Sequence, residues 1–472
     1  MKKAAAIFVM ICLLLAVTVG AAWGTTRTQT VAQEQTTEEQ KQFPSISPDV
    51  EALAELGLEP FVSELPVLMI DTDGQQIFKE KTIWAEVAVL DSPSGENDIM
   101  GQADAVLTAT IKYRGASSYS QFDKPQYRLK FYKEESGKAL DYDLFGMGAD
   151  SEWVLNGPFL DKTLLRNYLV YTLAGEVMDW APGCTFFELF LDGIYQGVYL
   201  AVEPVGAGVE RLDLNPFGLV SGATPYIVKR DREGTEVNVL HTYGEKAGYT
   251  GQQLSVDYPG QNDLTEQQRQ WIEQDISQFE EALYSDYFDD PDIGYAKYID
   301  VDSFVDYFIL NEFALNHDAS ILSTYAYKEL NGKLKLCVWD YNNAFNNYQW
   351  FAMQTDEFYM TDSYWFDRLL QDRAFVDRIN ERYQELRQGS LSDEHIQQIL
   401  DNGLETLGDA VDRNYCVWVY SFMHNMLNDE DGEPTRDVHS YEEALQQLTT
   451  TIEERLAFMD QHMGDLYAGC VN

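Results

Sequence analysis

The residues best suited to chemistry are two aspartates, Asp318 and Asp340, in NHDASILSTYAYKELNGKLKLCVWDYNNAF, residues 316–345. A polar Asn316-His317-Asp318 ends an apolar helix pattern. Two strand-like runs then surround Asn331-Gly332. Asn-Gly between such runs favours a two-residue type I′ turn, because both residues accept positive φ. That turn sets Leu330 opposite Lys333 and, continued along the ladder, Ser323 opposite Asp340. The chain thus leaves near Asp318 and returns near Asp340. Strands spaced about 5 Å apart let both carboxylates share one site. A carboxylate for the attacking hydroxyl, a hairpin, then a carboxylate for Mg²⁺ is the order used in protein-kinase phosphoryl transfer. By that order Asp318 takes the base role and Asp340 holds the metal, a hard cation that carboxylate oxygen suits. The pattern alone is weak, since two loop carboxylates in an acidic protein would read the same way.

A polyphosphate also needs cations. Arg114, Lys124, Arg128 and Lys130 cluster in RGASSYSQFDKPQYRLKF. Arg128 and Lys130 alternate with Tyr127, Leu129 and Phe131, so a strand aims both at one face. Arg would fork onto phosphate oxygens and Lys act as a point charge; a solvated face paired with acids is the plainer alternative. Arg166 could reach phosphate or join a structural ion pair. Glu203, ending YLAVE, marks either a strand into an interlobe hinge or a surface glutamate. Trp339 reads as core ahead of nucleotide stacking, and His317 as a loop residue. No Walker-type glycine loop is present, which disfavours a P-loop enzyme.

The elements that must position these groups follow from periodicity. PVLMID, TIWAEVAVLD, AVLTATIKYRG and QYRLKFYK read as strands. LLRNYLVYTLAGEVM is apolar at helical spacing, and Asp192-Gly193 between apolar runs signals a tight hairpin. Thr265 with Gln268 is a capping box. Ile272, Ile276, Phe279 and Leu283 then line one helix face, and Val301, Phe304, Val305, Phe308 and Ile309 belong to a helix ending near Phe313. The last third is mainly helical, with Ser392 as a cap. Strands first and helices last indicate an α+β protein in two lobes.

The chain has 472 residues, of which 45% are hydrophobic, enough for a sizeable core. A formal charge of −45, from 78 acids and 33 bases, excludes nucleic acid and anionic lipid as expected partners. Lys2 and Lys3 precede an uncharged apolar run through Gly24, the form of an export signal. Cleavage is favoured by the small residues Gly20, Ala21 and Ala22, with an uncleaved anchor as the alternative; membrane contact is expected only there. Residues 25–47 are a polar linker. Cys184, Cys337, Cys416 and Cys470 fit no zinc spacing, and their pairing is open.

Four stretches, in order, resemble the CotH family of spore-coat protein kinases: Arg114–Phe131, Trp153–Met178, Glu188–Val205 and Asn316–Phe345. The helical tail, RLLQDRAFVDRINERYQELR and IEERLAFMD, resembles it too. The resemblance implies an atypical bilobal protein-kinase-like fold over residues 48–472, with an N-lobe at about 60–205 and a C-lobe at about 206–465. It implies ATP and Mg²⁺ (or Mn²⁺) as cofactors and transfer to Ser or Thr of protein substrates, coat or surface proteins of the exported compartment or spore surface. The family's catalytic Asp falls on Asp318 and its metal-binding Asp on Asp340, with Asn342 and Ser323 as further metal residues. Lys130 and Arg128 lead the nucleotide-binding set, followed by Arg114 and Arg166. Ser323 stands where many members have Asn, which weakens a second metal site; Asn316 or Asn343 could compensate. A non-catalytic coat-assembly protein on the same scaffold is the alternative, and a carboxylate-pair glycosidase a weaker one.

Overall fold

Alternating β-branched and aromatic residues build the seven strands of a barrel in the first half: β1 (Val67–Asp71), β2 (Ile83–Leu90), β3 (Ala105–Arg114), β4 (Gln126–Tyr132), β5 (Glu152–Asn156), β6 (Cys184–Leu191) and β7 (Ile194–Val202). The computed structural model describes residues 46–471 except 136, 215–221, 232–237 and 428–435. The export segment assigned to 1–24, and all of the linker but its last two residues, lie outside the described residues. Strand order β6-β7-β5-β4-β3-β2-β1 closes into a barrel through parallel pairing of β1 with β6. Closure leaves no free edge. Every second residue points inward, so Ile111, Tyr127, Leu129, Phe131, Trp153 and Leu155 fill the interior. The residues between them, Lys112, Arg114, Arg128, Lys130 and Glu152, lie on the outer wall. At Asp192-Gly193 the φ values are +49° and +81°, and Leu191 pairs with Ile194, as the tight hairpin requires.

Helix α1 (Arg166–Val177) lies between β5 and β6 in sequence and is buried on nearly all sides. It joins the outer wall of the barrel (Val154, Leu200, Val202) to the large core of the second half. There a second sheet forms from β8 (Tyr226–Arg230), β9 (Val239–Leu240), β10 (Leu254–Tyr258), β11 (Thr324–Lys328) and β12 (Lys335–Cys337), in the order β9-β10-β8-β11-β12. Helices α2 (Glu266–Leu283) and α3 (Val301–Ala314) belong to the same core, with α2 opened by the Thr265–Gln268 capping box. The chain ends in α4 (Phe366–Leu369), α5 (Arg373–Arg387), α6 (Asp393–Leu407, capped by Ser392), α7 (Ala410–Trp418) and α8 (Tyr441–His462). The protein is thus mixed α+β, strand-rich first and helical last. All four described cysteines are free. No helix among the described residues is long and apolar enough to cross a membrane.

The Asn331-Gly332 hairpin departs from expectation. Tyr325 pairs with Cys337, Ala326 with Leu336 and Tyr327 with Lys335, one residue out of the register a two-residue loop would set. Neither Asn331 nor Gly332 takes positive φ. The turn instead spans Glu329–Gly332, with Gly332 N–H donating to the Glu329 carbonyl at 2.9 Å. The cause is tertiary. Leu334 is buried and bridges Ile299: its N–H donates to the Tyr298 carbonyl at 2.9 Å, and its carbonyl accepts from Asp300 N–H at 2.9 Å. Those bonds draw Leu334 out of the β11–β12 ladder and outweigh the local turn preference.

A buried ion pair anchors the end of α3. Glu312 and Arg455 of α8, both fully buried, meet at 2.6 Å. Glu312 also accepts from Tyr359 N–H at 3.0 Å and Met360 N–H at 2.6 Å, and Arg455 donates to the Thr355 and Glu357 carbonyls. Breaking one half of such a pair strands a charge in the core. Arg455→Leu should therefore lower unfolding free energy by about 3–5 kcal/mol. Adding Glu312→Gln should recover part of it, both read by chemical denaturation.

Candidate active site

Helix α3 ends at Leu315, whose φ of +47° turns the chain sharply. Asn316 Nδ2 donates to Asn311 Oδ1 at 3.0 Å, and Asn316 Oδ1 accepts from Asp318 N–H at 3.3 Å. The Asp318 carbonyl accepts from Ile321 N–H at 3.0 Å and Leu322 N–H at 2.8 Å, closing a tight loop. The Asp318 side chain is 13% exposed, and its Oδ2 accepts from Asn343 Nδ2 at 3.2 Å. His317 stacks on Tyr348 at 4.3 Å, with Nδ1 3.8 Å from Asp318 Oδ1. Its placement as a loop residue holds.

Asp340 has φ of +62°, a conformation Asp and Asn tolerate better than other non-glycine residues. Its N–H donates to the Tyr171 hydroxyl of α1 at 3.1 Å. A chain of amides then fixes its carboxylate. Tyr341 N–H donates to Asn167 Oδ1 at 2.8 Å, Asn167 Nδ2 to Asn342 Oδ1 at 2.8 Å, and Asn342 Nδ2 to Asp340 Oδ1 at 2.6 Å. The first donor is a main-chain N–H, so each later amide has one allowed orientation. Asn342 thus turns its nitrogen, not its oxygen, towards Asp340. It orients the carboxylate instead of serving as the oxygen ligand expected from sequence. Asn167 and Tyr171 sit in a run read only as apolar helix, which hid their roles.

The two carboxylates are near enough to repel. Burial raises the Asp340 pKa above its ordinary value, and the Asp318 charge raises it further, against the opposing pull of Arg114. Among the described residues no group of three or more His, Cys, Asp or Glu converges as a metal cage. Mg²⁺ bound with a nucleotide needs only one or two protein carboxylates, because phosphates and water complete its shell. Asp340 beside Asp318 meets that requirement, and a divalent cation would relieve their repulsion.

The outer wall of the barrel supplies positive charge. Arg114 lies over the Trp339 ring at 5.2 Å, and its charge is felt at Asp340. Lys112 is the ladder partner of Arg128, and burial followed by the Arg128 charge lowers its pKa. Sequence reading passed over Lys112 because it sits inside an otherwise apolar strand. Glu152 pairs with Arg128, and with Lys130 at 3.8 Å, which offsets part of that charge. Two acids lie nearby, Asp257 on β10, felt by Arg128, and Asp231, just past the end of β8, felt by Asp340. Trp339 is buried against Tyr171 and Tyr325.

Other sequence candidates sit elsewhere. Arg166 is 1% exposed, pairs with Asp161 at 2.6 Å and donates Nε–H to the Ala344 carbonyl at 2.9 Å. It braces the loop after Asp340 from behind, so the phosphate role is replaced by a structural one. Lys124 is fully buried, donating to the Val198 carbonyl at 2.6 Å and Asn414 Oδ1 at 2.8 Å, which removes it from the basic face. Ser323 has φ of +48°, and the ladder stops at Tyr325–Cys337, so Ser323 has no strand partner at Asp340. Glu203 is a buried partner of Arg211 just after β7.

A raised carboxyl pKa in the fold penalises the ionised form. The penalty is absent below the unfolded-state value and present in full once pH exceeds the folded-state value. Asp340→Asn keeps the backbone shape and removes the charge. It should raise the melting temperature of the ligand-free protein at pH 7, with the gain fading as pH falls through the carboxylate range. Thermal melts across pH check this.

No curated protein matches the chain. The profile of the CotH kinase protein family matches residues 111–459, which take in the basic strands, α1, both aspartates and most of α8. That span exceeds half the chain and covers both aspartates and the elements that hold them, while β1 and β2 precede it. The protein is a member of the CotH kinase family.

Proposed function

We propose that the protein transfers the γ-phosphoryl group of ATP to Ser or Thr hydroxyls of exported, envelope or spore-coat proteins. The barrel and the helical half act as the two lobes of a kinase-like fold. The observation that carries this reading is the placing of Asp318 and Asp340 in one partly buried site, where the Asp318 and Arg114 charges are both felt at Asp340. Asp318, held by Asn343, takes the proton of the acceptor hydroxyl as its oxygen bonds to the γ-phosphorus and the bond to the β-phosphate oxygen breaks, releasing ADP. Asp340 would hold Mg²⁺ or Mn²⁺, which when bound neutralises charge on the phosphate oxygens. Arg114, Lys112 and Arg128 draw the polyphosphate into an otherwise acidic protein. Export rests on the Lys2-Lys3 head and the apolar run behind it.

A second reading, a coat-assembly protein without catalysis, draws support from Ser323, whose short side chain replaces an amide oxygen. ATP with Mg²⁺ at about 100 times its Kd should stabilise the fold by about 2.7 kcal/mol. EDTA should remove that gain, as should Asp340→Asn. With labelled ATP and candidate acceptors, Asp318→Asn should lose about 10²-fold or more of the transfer rate while keeping the metal-dependent melting shift. Wild-type transfer by that variant refutes the base assignment. No transfer by the wild type with any metal or acceptor selects the assembly reading.

A further inference from the structure

Arg230 is the last residue of β8 and is fully buried. Its chain neighbours Lys229 and Asp231 are only partly buried; Lys229 pairs with Asp257 at 3.3 Å, and the Asp231 charge is felt at Asp340. Arg230 points to the opposite face, against Tyr364 and Trp365, with its guanidinium carbon 4.4 Å and 5.1 Å from the two ring centres. Nη1 donates to the Ser320 carbonyl at 2.7 Å. Nε and Nη2 are buried and make no hydrogen bond among the described residues. Among the described residues no carboxylate hydrogen-bonds to it. Glu280 lies behind the rings, accepting from the Tyr364 hydroxyl at 2.6 Å and Trp365 Nε1 at 3.3 Å, and attracts the cation from there.

A buried cation with two unused donors is a costly way to fill a core, because desolvation of the charge is not offset by a partner carboxylate. Stacking on two aromatic rings recovers part of that cost. What the guanidinium does hold is the loop of Asp318. Ser320, two residues on, has φ of +67°, and its hydroxyl donates to the Tyr364 carbonyl at 3.1 Å. Trp365 has φ of +75°, rare for a bulky residue. Strained backbone of this kind persists only where the surroundings over-determine it. The loop is also tied at its far end, because Thr324 is the ladder partner of Arg230. One residue therefore grips the Asp318–Thr324 segment twice, by main chain at its exit and by side chain in its middle.

We propose that Arg230 is a positioning residue for the transfer reaction, holding the Asp318 carboxylate in register with Asp340 through the Ser320 carbonyl. The inference rests on the reading of Asp318 as the base. It concerns geometry at one loop, so binding of ATP through Asp340 and the barrel wall should be left intact.

The test uses the full-length protein carrying Arg230→Met, with Arg230→Lys as a second variant that keeps the charge and one donor nitrogen. Arg230→Met should lower kcat by about 10- to 100-fold, the loss expected from a small misplacement of a reacting group. KM for ATP with Mg²⁺ should stay within about twofold. Hydrogen exchange at the amides of Ile321 and Leu322, which bond the Asp318 carbonyl, should speed by about tenfold without ligand. Arg230→Lys should fall between, and should decide the matter if Arg230→Met does not fold. Wild-type kcat in the variant that folds overturns the proposal. So does a lower kcat with loop exchange at the wild-type rate, or a proportionate rise in KM. If Asp318→Asn is itself fully active, the base assignment fails first. If it is inactive while the Arg230 variants are normal, only this inference falls.

Discussion

Two like charges kept together against their repulsion are the constraint on which the rest of this structure depends. Left alone, Asp318 and Asp340 would lower their energy by moving apart or by one taking a proton; burial first, and the Asp318 charge second, raise the Asp340 pKa. The fold opposes the first with hydrogen bonds from several directions. Tyr171 and Asn167 of α1 hold Asp340 and its neighbours, Asn343 holds Asp318, and Arg166 holds the Ala344 carbonyl. In the proposed function, a divalent cation with a polyphosphate would supply positive charge to these two carboxylates, beyond that of Arg114 felt at Asp340.

The same logic accounts for positive charge in a chain of formal charge −45. A triphosphate approaching that field is repelled at long range, and screening in physiological salt confines the repulsion to about 8 Å. Close in, local cations decide. The barrel can present them because its alternation separates inner and outer residues completely: aromatic and aliphatic groups fill one side, and Lys112, Arg114, Arg128 and Lys130 share the other. Glu152 keeps this wall from being uniformly basic by pairing with Arg128 and Lys130. Arg114, at the end of β3, is the cation of this wall whose charge is felt at Asp340.

Signals confined to one element were legible in the sequence. The Asp192-Gly193 turn, the Thr265–Gln268 cap, the buried face of α2 and the extent of α3 depend on local backbone chemistry, and all appear where the residues place them. The long FDRLLQDRAFVDRINERYQELR run reads as helix, but it divides at Asp372, which caps α5. Juxtaposition of Asp318 and Asp340 was legible too, because it follows from chain reversal and survives a one-residue error in register. Roles that depend on distant partners were not. Arg166 and Lys124 look like phosphate ligands until Asp161 and Asn414 are seen beside them, and Asn342 looks like a metal ligand until Asn167 claims its oxygen.

That tolerance of a wrong register shows what defines the site. Were the hairpin turn in command, a slip at Asn331-Gly332 would carry every β12 side chain to the opposite face and take Asp340 with it. Asp340 instead lies beyond the end of the ladder, where its position is set by α1, and Asp318 lies beyond the end of α3, where Glu312 and Arg455 fix the helix and Arg230 grips the loop. The hairpin supplies only the return of the chain. Its turn was therefore free to yield to the Leu334–Ile299 bridge, a core contact, without disturbing the chemistry. Catalytic geometry in this fold is consequently a property of the buried polar contacts behind the two loops, and substitutions there should alter turnover more than substitutions in the hairpin tip itself.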